Sequence, residues 1–179
     1  MQEVSALSEQ AFEVSVIGAG PAGLMAAGQA AMAGAQTLLL ERMERPGRKL
    51  EITGKGRCNL TNIIPVEDFL SHFGPQGSFL RQSFARFFNQ DLIAFLKGIG
   101  VDTAVERGGR VFPTSGDARR VTDQLVDWAL GCGVTLSVKT RARRIITDEK
   151  GVTGVELDTG SRLGCRRVVI ACGGASYPA

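Results

Sequence analysis

The chain has 179 residues, 44% of them hydrophobic and 22% charged. That composition suits a globular domain with its own core and excludes disordered and collagen-like chains. The net charge is +3, and the densest basic run, residues 141–144, is broken by Ala142 and has no interleaved aromatics, so nucleic-acid binding is not expected.

Residues 1–11 read as a loose, flexible polar tail, with Glu3 and Glu9 and no apolar core of a signal peptide. No later run is long and apolar enough to span a membrane, so no membrane partner and a cytoplasmic location are expected. Residues 12–17, FEVSVI, form a short apolar strand. A turn over residues 18–23 leads into a helix over 21–33, with Pro21 in its first turn, where a missing N–H costs nothing. Gly34 ends the helix. A second buried strand, 36–40, is closed by Glu41. The whole is a βαβ unit of about 30 residues.

Residues 42–66 are rich in Gly, Arg, Lys, Thr and Asn and read as a long functional loop with one turn of helix. Residues 68–100 carry helical patterns. There the stripe of Phe79, Phe84, Phe87 and Phe88, then Leu92, Ile93, Phe95 and Leu96, reads as core packing. A short strand is expected at 108–112 and an amphipathic helix at 116–132, with Val121, Leu125, Trp128 and Ala129 on one face and Ser115 as its N-cap. Short strand patterns at 134–138, 142–147, 152–157 and 162–165 predict a small antiparallel β-meander. Residues 167–171, RVVIA, form a last buried strand that runs into Gly173 and Gly174.

The sharpest chemical signal is VIGAGPAGL. Gly18, Gly20 and Gly23, with Pro21 and Ala22 between them, match G-x-G-x-x-G between a strand and a helix. Gly18 permits the tight turn, Gly20 lets a diphosphate approach the backbone, and Gly23 lets the helix pack on the sheet. The helix start offers free N–H groups to the anion. Glu41, after the second strand, is placed to accept from ribose hydroxyls. A carboxylate there argues against a 2′-phosphate, although Arg42 beside it is open to either a ligand role or plain exposure. A second stretch, GRKLEITGKGRCNLTN, alternates glycine, cations and small hydroxyls as a phosphate- or ribityl-wrapping loop would. In it, Cys58 reads more simply as a packed thiol than as a redox thiol activated by Arg57. A third, VVIACGGASYP, delivers two glycines at the carboxyl end of a buried strand, where ligands sit in open α/β sheets; Ser176 and Tyr177 are either ligand donors or loop residues. In GRVFPTS the role of Arg110 stays open. Cys58, Cys132, Cys165 and Cys172 show no zinc or C-x-x-C spacing, and His72 is the one histidine. Reduced thiols and no metal site follow.

Taken in order, VIGAGPAGLMAA, GRKLEITGKGRCNLTN, GRVFPTSGDARRVTDQL and VVIACGGASYP resemble the BaiN/RdsA-type NAD(P)/FAD-dependent oxidoreductases, also called aminoacetone-oxidase-like flavoproteins. The resemblance implies a two-dinucleotide-binding-domain flavoprotein with non-covalent FAD. It implies that Gly18, Gly20 and Gly23 cradle the pyrophosphate and that Glu41 and Arg42 hold the adenosine ribose. Lys49, Gly54, Gly56, Arg57, Cys58 and Asn59 would approach the flavin side, a backbone contact near Ala142 would meet adenine, and Gly173 and Gly174 would form the second FAD motif. That motif usually carries threonine where Cys172 stands. Family members also continue past this point into an inserted domain and a third glycine-rich segment.

The expected fold is therefore α/β: a Rossmann-like FAD-binding domain over residues 12–179 with a small antiparallel β-meander, truncated at its C-terminus. The expected function is hydride or electron transfer through FAD, with NAD(P)H as a candidate donor and a small-molecule substrate. No side chain is singled out as a catalytic acid or base. Two other readings stand beside it: a non-catalytic dinucleotide-binding remnant, self-associating through surfaces that the missing part would cover, and an NAD-binding dehydrogenase domain, which the GRCNLTN loop disfavours.

Overall fold

The computed structural model describes residues 7, 8 and 10–174; Ser176 and Tyr177 lie outside them. The chain divides into two compact units, Met1–Leu50 with Leu125–Ala179, and Glu51–Gln124. The single domain expected over residues 12–179 thus carries an inserted unit.

The first unit is built on β1 (Phe12–Ile17), α1 (Pro21–Met32) and β2 (Thr37–Leu40). These are the predicted elements, with boundaries shifted by one residue at most. The positive φ of Gly34, 90°, ends α1. Strand β2, TLLL, is buried at all four positions, as a strand covered on both faces must be. The six-stranded sheet has the order β6-β2-β1-β9-β8-β7, with β6 at Thr135–Ser137, β7 at Ala142–Asp148, β8 at Gly151–Leu157 and β9 at Arg162–Ile170.

Two expectations change here. The run at 134–138 is not part of the meander: β6 pairs parallel with β2 at the sheet edge. The two strands predicted at 162–165 and 167–171 are one strand. The first part of β9 pairs antiparallel with β8 through residues 162–164, and residues 165–170 pair parallel with β1. Only a continuous strand can join the meander to the parallel sheet in this way. Along residues 165–170 the side of β9 away from β1 has no partner strand among the described residues. Val169 and Ile170 are exposed there, Ile170 by 68%.

Leu7, Phe12, Leu38, Leu40, Val155, Leu157, Leu163 and Cys165 form the main core of this unit. Leu7 is fully buried although it falls in the segment expected to be a loose tail. Burying one leucine is worth about 2 kcal/mol, enough to hold that point of the segment down. Helix α1 packs directly on the aromatic ring of Trp128, since a Cβ on Gly28 would stand 2.3 Å from it.

The second unit holds short helices α2 (Arg48–Glu51, which begins in the first unit), α3 (Val66–Ser71), α4 (Arg81–Phe84) and α5 (Asn89–Gly98). It also holds a three-stranded sheet, β3-β5-β4, from β3 (Thr61–Asn62), β4 (Thr103–Val105) and β5 (Arg110–Pro113). The phenylalanine stripe divides. Phe84 and Phe88 stack with Phe69 and Phe73, ring centroids 5.1–6.3 Å apart. Phe79 and Phe87 point to solvent, 83% and 42% exposed. A tight 3₁₀ stretch, Gly74–Leu80, breaks the helical period on which the stripe depended. Helix α6 (Ala118–Gly131) runs from one unit into the other. Its cap is Asp117, whose carboxylate accepts from the N–H groups of Arg119 and Arg120. The predicted cap, Ser115, instead accepts from the N–H of Asp117.

Candidate cofactor site

In the first unit the glycine loop sits where β1 meets α1. Gly18 has φ 101°, and its N–H donates to Leu40 O at 2.8 Å. A Cβ there would meet Ala171 O at 2.7 Å, and one on Gly23 would meet Gly18 O at 1.8 Å. Both glycines are thus required by backbone packing. Gly20 differs: a Cβ on it would have nothing within 4 Å. It is the N-cap of α1, no side chain caps that end, and no acidic residue lies in the first turn. Helix N–H groups left without a side-chain acceptor, beside open space, fit an anion such as a diphosphate.

Glu41 is fixed by the backbone. One carboxylate oxygen accepts from Ala19 N–H and the other from Met43 N–H, both at 2.9 Å. Glu41 N–H donates to Ser137 O and Thr140 N–H to Glu41 O, while Lys139 N–H reaches Met43 O. The turn behind Glu41 is itself locked by the buried Ser137–Thr140 hydroxyl pair at 2.7 Å. Each carboxylate oxygen keeps a second lone pair for a ribose hydroxyl. Ser137, Lys139 and Thr140 were not visible as site residues in the sequence. Their only signal is two hydroxyls in a turn between strands. Arg42 is exposed and Ala142, at the start of β7, is half-buried.

On the other side of β1, Ala171 N–H donates to Ile17 O. The Cys172 thiol, where the family motif usually has threonine, donates weakly to that same carbonyl at 3.5 Å. Gly173, φ 75°, lies against the ammonium group of Lys49. Gly174 follows, exposed. The structure therefore brings Gly18, Gly20, Pro21, Ala22, Gly23, Glu41, Lys49 and Gly173 together within one unit. These residues fit the adenosine-diphosphate half of a dinucleotide.

The second unit presents the GKGRCN loop. Gly54, Lys55, Gly56 and Cys58 all have φ between 56° and 85°, and the two non-glycine residues cost about 1–2 kcal/mol each in that region. Several contacts hold them there. The guanidinium of Arg57 makes two bonds to Glu106, at 2.8 and 2.7 Å, and stands 4.2 Å over the Phe112 ring. Gly54 packs on the same ring. The Arg110 guanidinium is 5.7 Å from it, and Nε of Arg110 donates to Arg107 O. The Asn62 side chain bridges Gly108 O and Ile64 N–H. Cys58 is buried, and burial pushes its thiol pKa up, against a smaller opposing effect of a hydrogen bond with Thr53. Arg57 is committed to Glu106, so the thiol is a packed group and not an activated one. Asn59 is exposed on this loop.

Among the described residues no helix is long and apolar enough to cross a membrane. The chain is 34% identical over 167 residues to a ribosomal RNA dihydrouridine synthase of Escherichia coli (strain K12), covering 93% of this chain and 40% of the relative. It is 32% identical to a 3-dehydro-bile acid delta(4,6)-reductase of Clostridium scindens, covering 90% and 39%. The chain thus spans about two fifths of the length of these relatives. Its fold is that of FAD-binding flavoproteins; THI4 of Thermovibrio ammonificans superposes with a TM-score of 0.67 at 18% identity, over 95% of this chain and 59% of that one. With the glycine cradle and its partner carboxylate in place, and with residues 12–179 matching the HI0933-like protein Rossmann domain, the chain belongs to that family.

Proposed function

We propose that this chain is the FAD-binding portion of an oxidoreductase that reduces a small-molecule substrate in the cytoplasm, with NAD(P)H as electron donor. The observation that carries the reading is the prepared adenosine-diphosphate cradle: an uncapped helix start beside the open face of Gly20, and a carboxylate held by two backbone N–H groups. When bound, FAD supplies the hydride-transfer chemistry. Gly18, Gly20, Pro21, Ala22 and Gly23 hold the diphosphate, and Glu41 with Arg42 holds the adenosine ribose. Ala142 offers backbone to the adenine, and Gly173 and Gly174 let the chain approach the cofactor closely. Gly54, Gly56, Arg57, Cys58 and Asn59 contribute through the loop that the family resemblance marks out. The reductive direction follows the names of the relatives, one making dihydrouridine and the other a delta(4,6)-reductase.

The exposed flank of β9 favours a second reading, in which this chain by itself is a binding remnant that associates through that strand. The visible absorption spectrum of the purified chain, taken before and after addition of FAD and desalting, tests the cofactor reading, and size exclusion with light scattering tests association through β9. A retained flavin band supports the cofactor reading. A colourless protein after reconstitution refutes FAD binding by this chain.

A further inference from the structure

One turn grips Glu41 on both sides of its backbone. The Glu41 N–H donates to Ser137 O at 2.9 Å, and the Glu41 carbonyl accepts from Thr140 N–H at 2.8 Å. The turn from Ser137 to Thr140 must therefore keep its shape for Glu41 to keep its place. The chain does not adopt that shape freely, because Lys139 has φ 54°, a left-handed conformation that a Cβ disfavours. The Lys139–Glu44 ion pair at 2.7 Å joins side chains 58% and 76% exposed, and a pair in that setting contributes little. The buried hydroxyls are better placed to hold the turn. Ser137 and Thr140 are only 6% and 5% exposed, and their hydroxyl oxygens are 2.7 Å apart. Thr140 Oγ1 donates its one proton to Val138 O at 3.0 Å, so Ser137 Oγ is the donor within the pair. Thr140 Oγ1 is thus the junction of a hydrogen-bonded chain from Ser137 to Val138 O, and burial makes each link costly to break.

We propose that Thr140 is a positioning residue for ribose recognition: acting through the backbone of Glu41 and not by contact with the ligand, its hydroxyl sets how strictly the site selects a sugar that carries both hydroxyls. Valine at this position has nearly the same shape but removes the junction. The Ser137 hydroxyl then loses its acceptor, the Val138 carbonyl loses its donor, and the turn that clasps Glu41 loosens. A carboxylate displaced with its backbone meets the ribose hydroxyls at poorer distance and angle, and hydrogen bonds weaken steeply with misalignment. Serine at 140 keeps the hydroxyl and the junction.

The proposal rests on the reading of Glu41 as the ribose acceptor, and two ligands test it: ADP, and 2′,3′-dideoxy-ADP, which lacks both ribose hydroxyls. Affinities for both are measured by titration calorimetry on the full chain and on Thr140→Val and Thr140→Ser, each first shown to have the wild-type circular dichroism. Ser137→Ala, which removes the donor of the same pair, serves where Thr140→Val does not fold. The ratio of the two affinities cancels any loss that falls on both ligands, as a merely structural defect would. Wild type is expected to prefer ADP by about tenfold, the worth of one hydrogen bond to a charged group. In Thr140→Val the preference should narrow to about threefold or less, and in Thr140→Ser it should return to within about twofold of wild type. A wild-type ratio in Thr140→Val overturns the proposal, even where both affinities fall. Wild type that binds the two ligands equally overturns the ribose role of Glu41 and this proposal with it. Wild type that binds neither overturns the dinucleotide reading as a whole, so the failures are distinguishable.

Discussion

Two glycines three residues apart should respond to the same substitution in opposite ways. At Gly23 an added methyl meets Gly18 O at 1.8 Å, Gly18 C at 3.0 Å and the Ala171 Cβ at 3.3 Å. The first two are backbone atoms of a turn fixed by Gly18 N–H to Leu40 O, so α1 must move off the strand by more than an ångström. Overpacking of this kind costs about 1–3 kcal/mol, a loss of roughly fivefold to more than a hundredfold in the folding equilibrium. At Gly20 the methyl meets nothing within 4 Å, and φ is −75° with ψ near 180°, open to any residue. The weaker N-cap preference of alanine and its smaller unfolded-state entropy are each a few tenths to about 1 kcal/mol and opposed in sign. Stability should stay within about 0.5 kcal/mol of wild type. A diphosphate approaching that backbone would meet the methyl, so FAD affinity should fall at least tenfold, a loss of about 1.4 kcal/mol. Urea unfolding followed by circular dichroism gives the stabilities, and quenching of FAD fluorescence gives the affinities. Gly20→Ala binding FAD as wild type does would refute the cradle, and Gly23→Ala as stable as wild type would refute the packing argument.

Three further outcomes follow from other parts of the fold. Ser15 Oγ is fully buried in β1 and has no hydrogen-bond partner among the described residues. Ser15→Ala should therefore raise the urea midpoint, by about 1 kcal/mol in stability, and a lowered midpoint would show that the hydroxyl has a partner in solution. Ile170→Lys puts a charge on the open flank of β9 and should reduce self-association of the chain, as read by size exclusion with light scattering; unchanged association would place the contact elsewhere. Among the thiols, exposed Cys172 should react fastest with a maleimide and be shielded by FAD, while buried Cys58 stays unlabelled in the folded state. Burial raises the Cys58 thiol above its ordinary 9.0, so the stability tied to its protonated form is present below that value and is lost as pH rises through the higher folded value. Labelling of Cys58 at the rate of Cys172 at neutral pH would contradict its burial.

The βαβ unit was legible in the sequence because each of its signals is local. Alternation and an apolar run give β1 and β2, Pro21 and Gly34 bracket α1, and the glycine spacing needs only six residues. The expectations that changed rest on partners far away in the chain. Nothing within residues 134–138 says that the strand pairs with β2, about a hundred residues earlier, and nothing within 162–171 says that one strand pairs antiparallel with β8 and then parallel with β1. The division of the phenylalanine stripe depends on a 3₁₀ stretch that shifts the period by a fraction of a turn. Ser115 and Asp117 are both good capping residues, and only the backbone entry to α6 chose between them.

Glu41 shows how a correct local reading still leaves out half of a residue's work. Its spacing from the glycines marks a ribose acceptor, but the same carboxylate ties Ala19 to Met43. Those bonds join the glycine loop to the segment after β2, and through Thr140 N–H the Glu41 carbonyl joins that segment to the turn before β7. Removing the carboxylate would leave two backbone N–H groups without an acceptor, each costing about 1–3 kcal/mol where buried, before any ligand is considered. Loss of FAD binding on substituting Glu41 would therefore not isolate a ribose contact. Gly20 is the cleaner probe, because a Cβ added to it would have nothing within 4 Å. In this cradle the residues that best report on the ligand are those that do least for the fold.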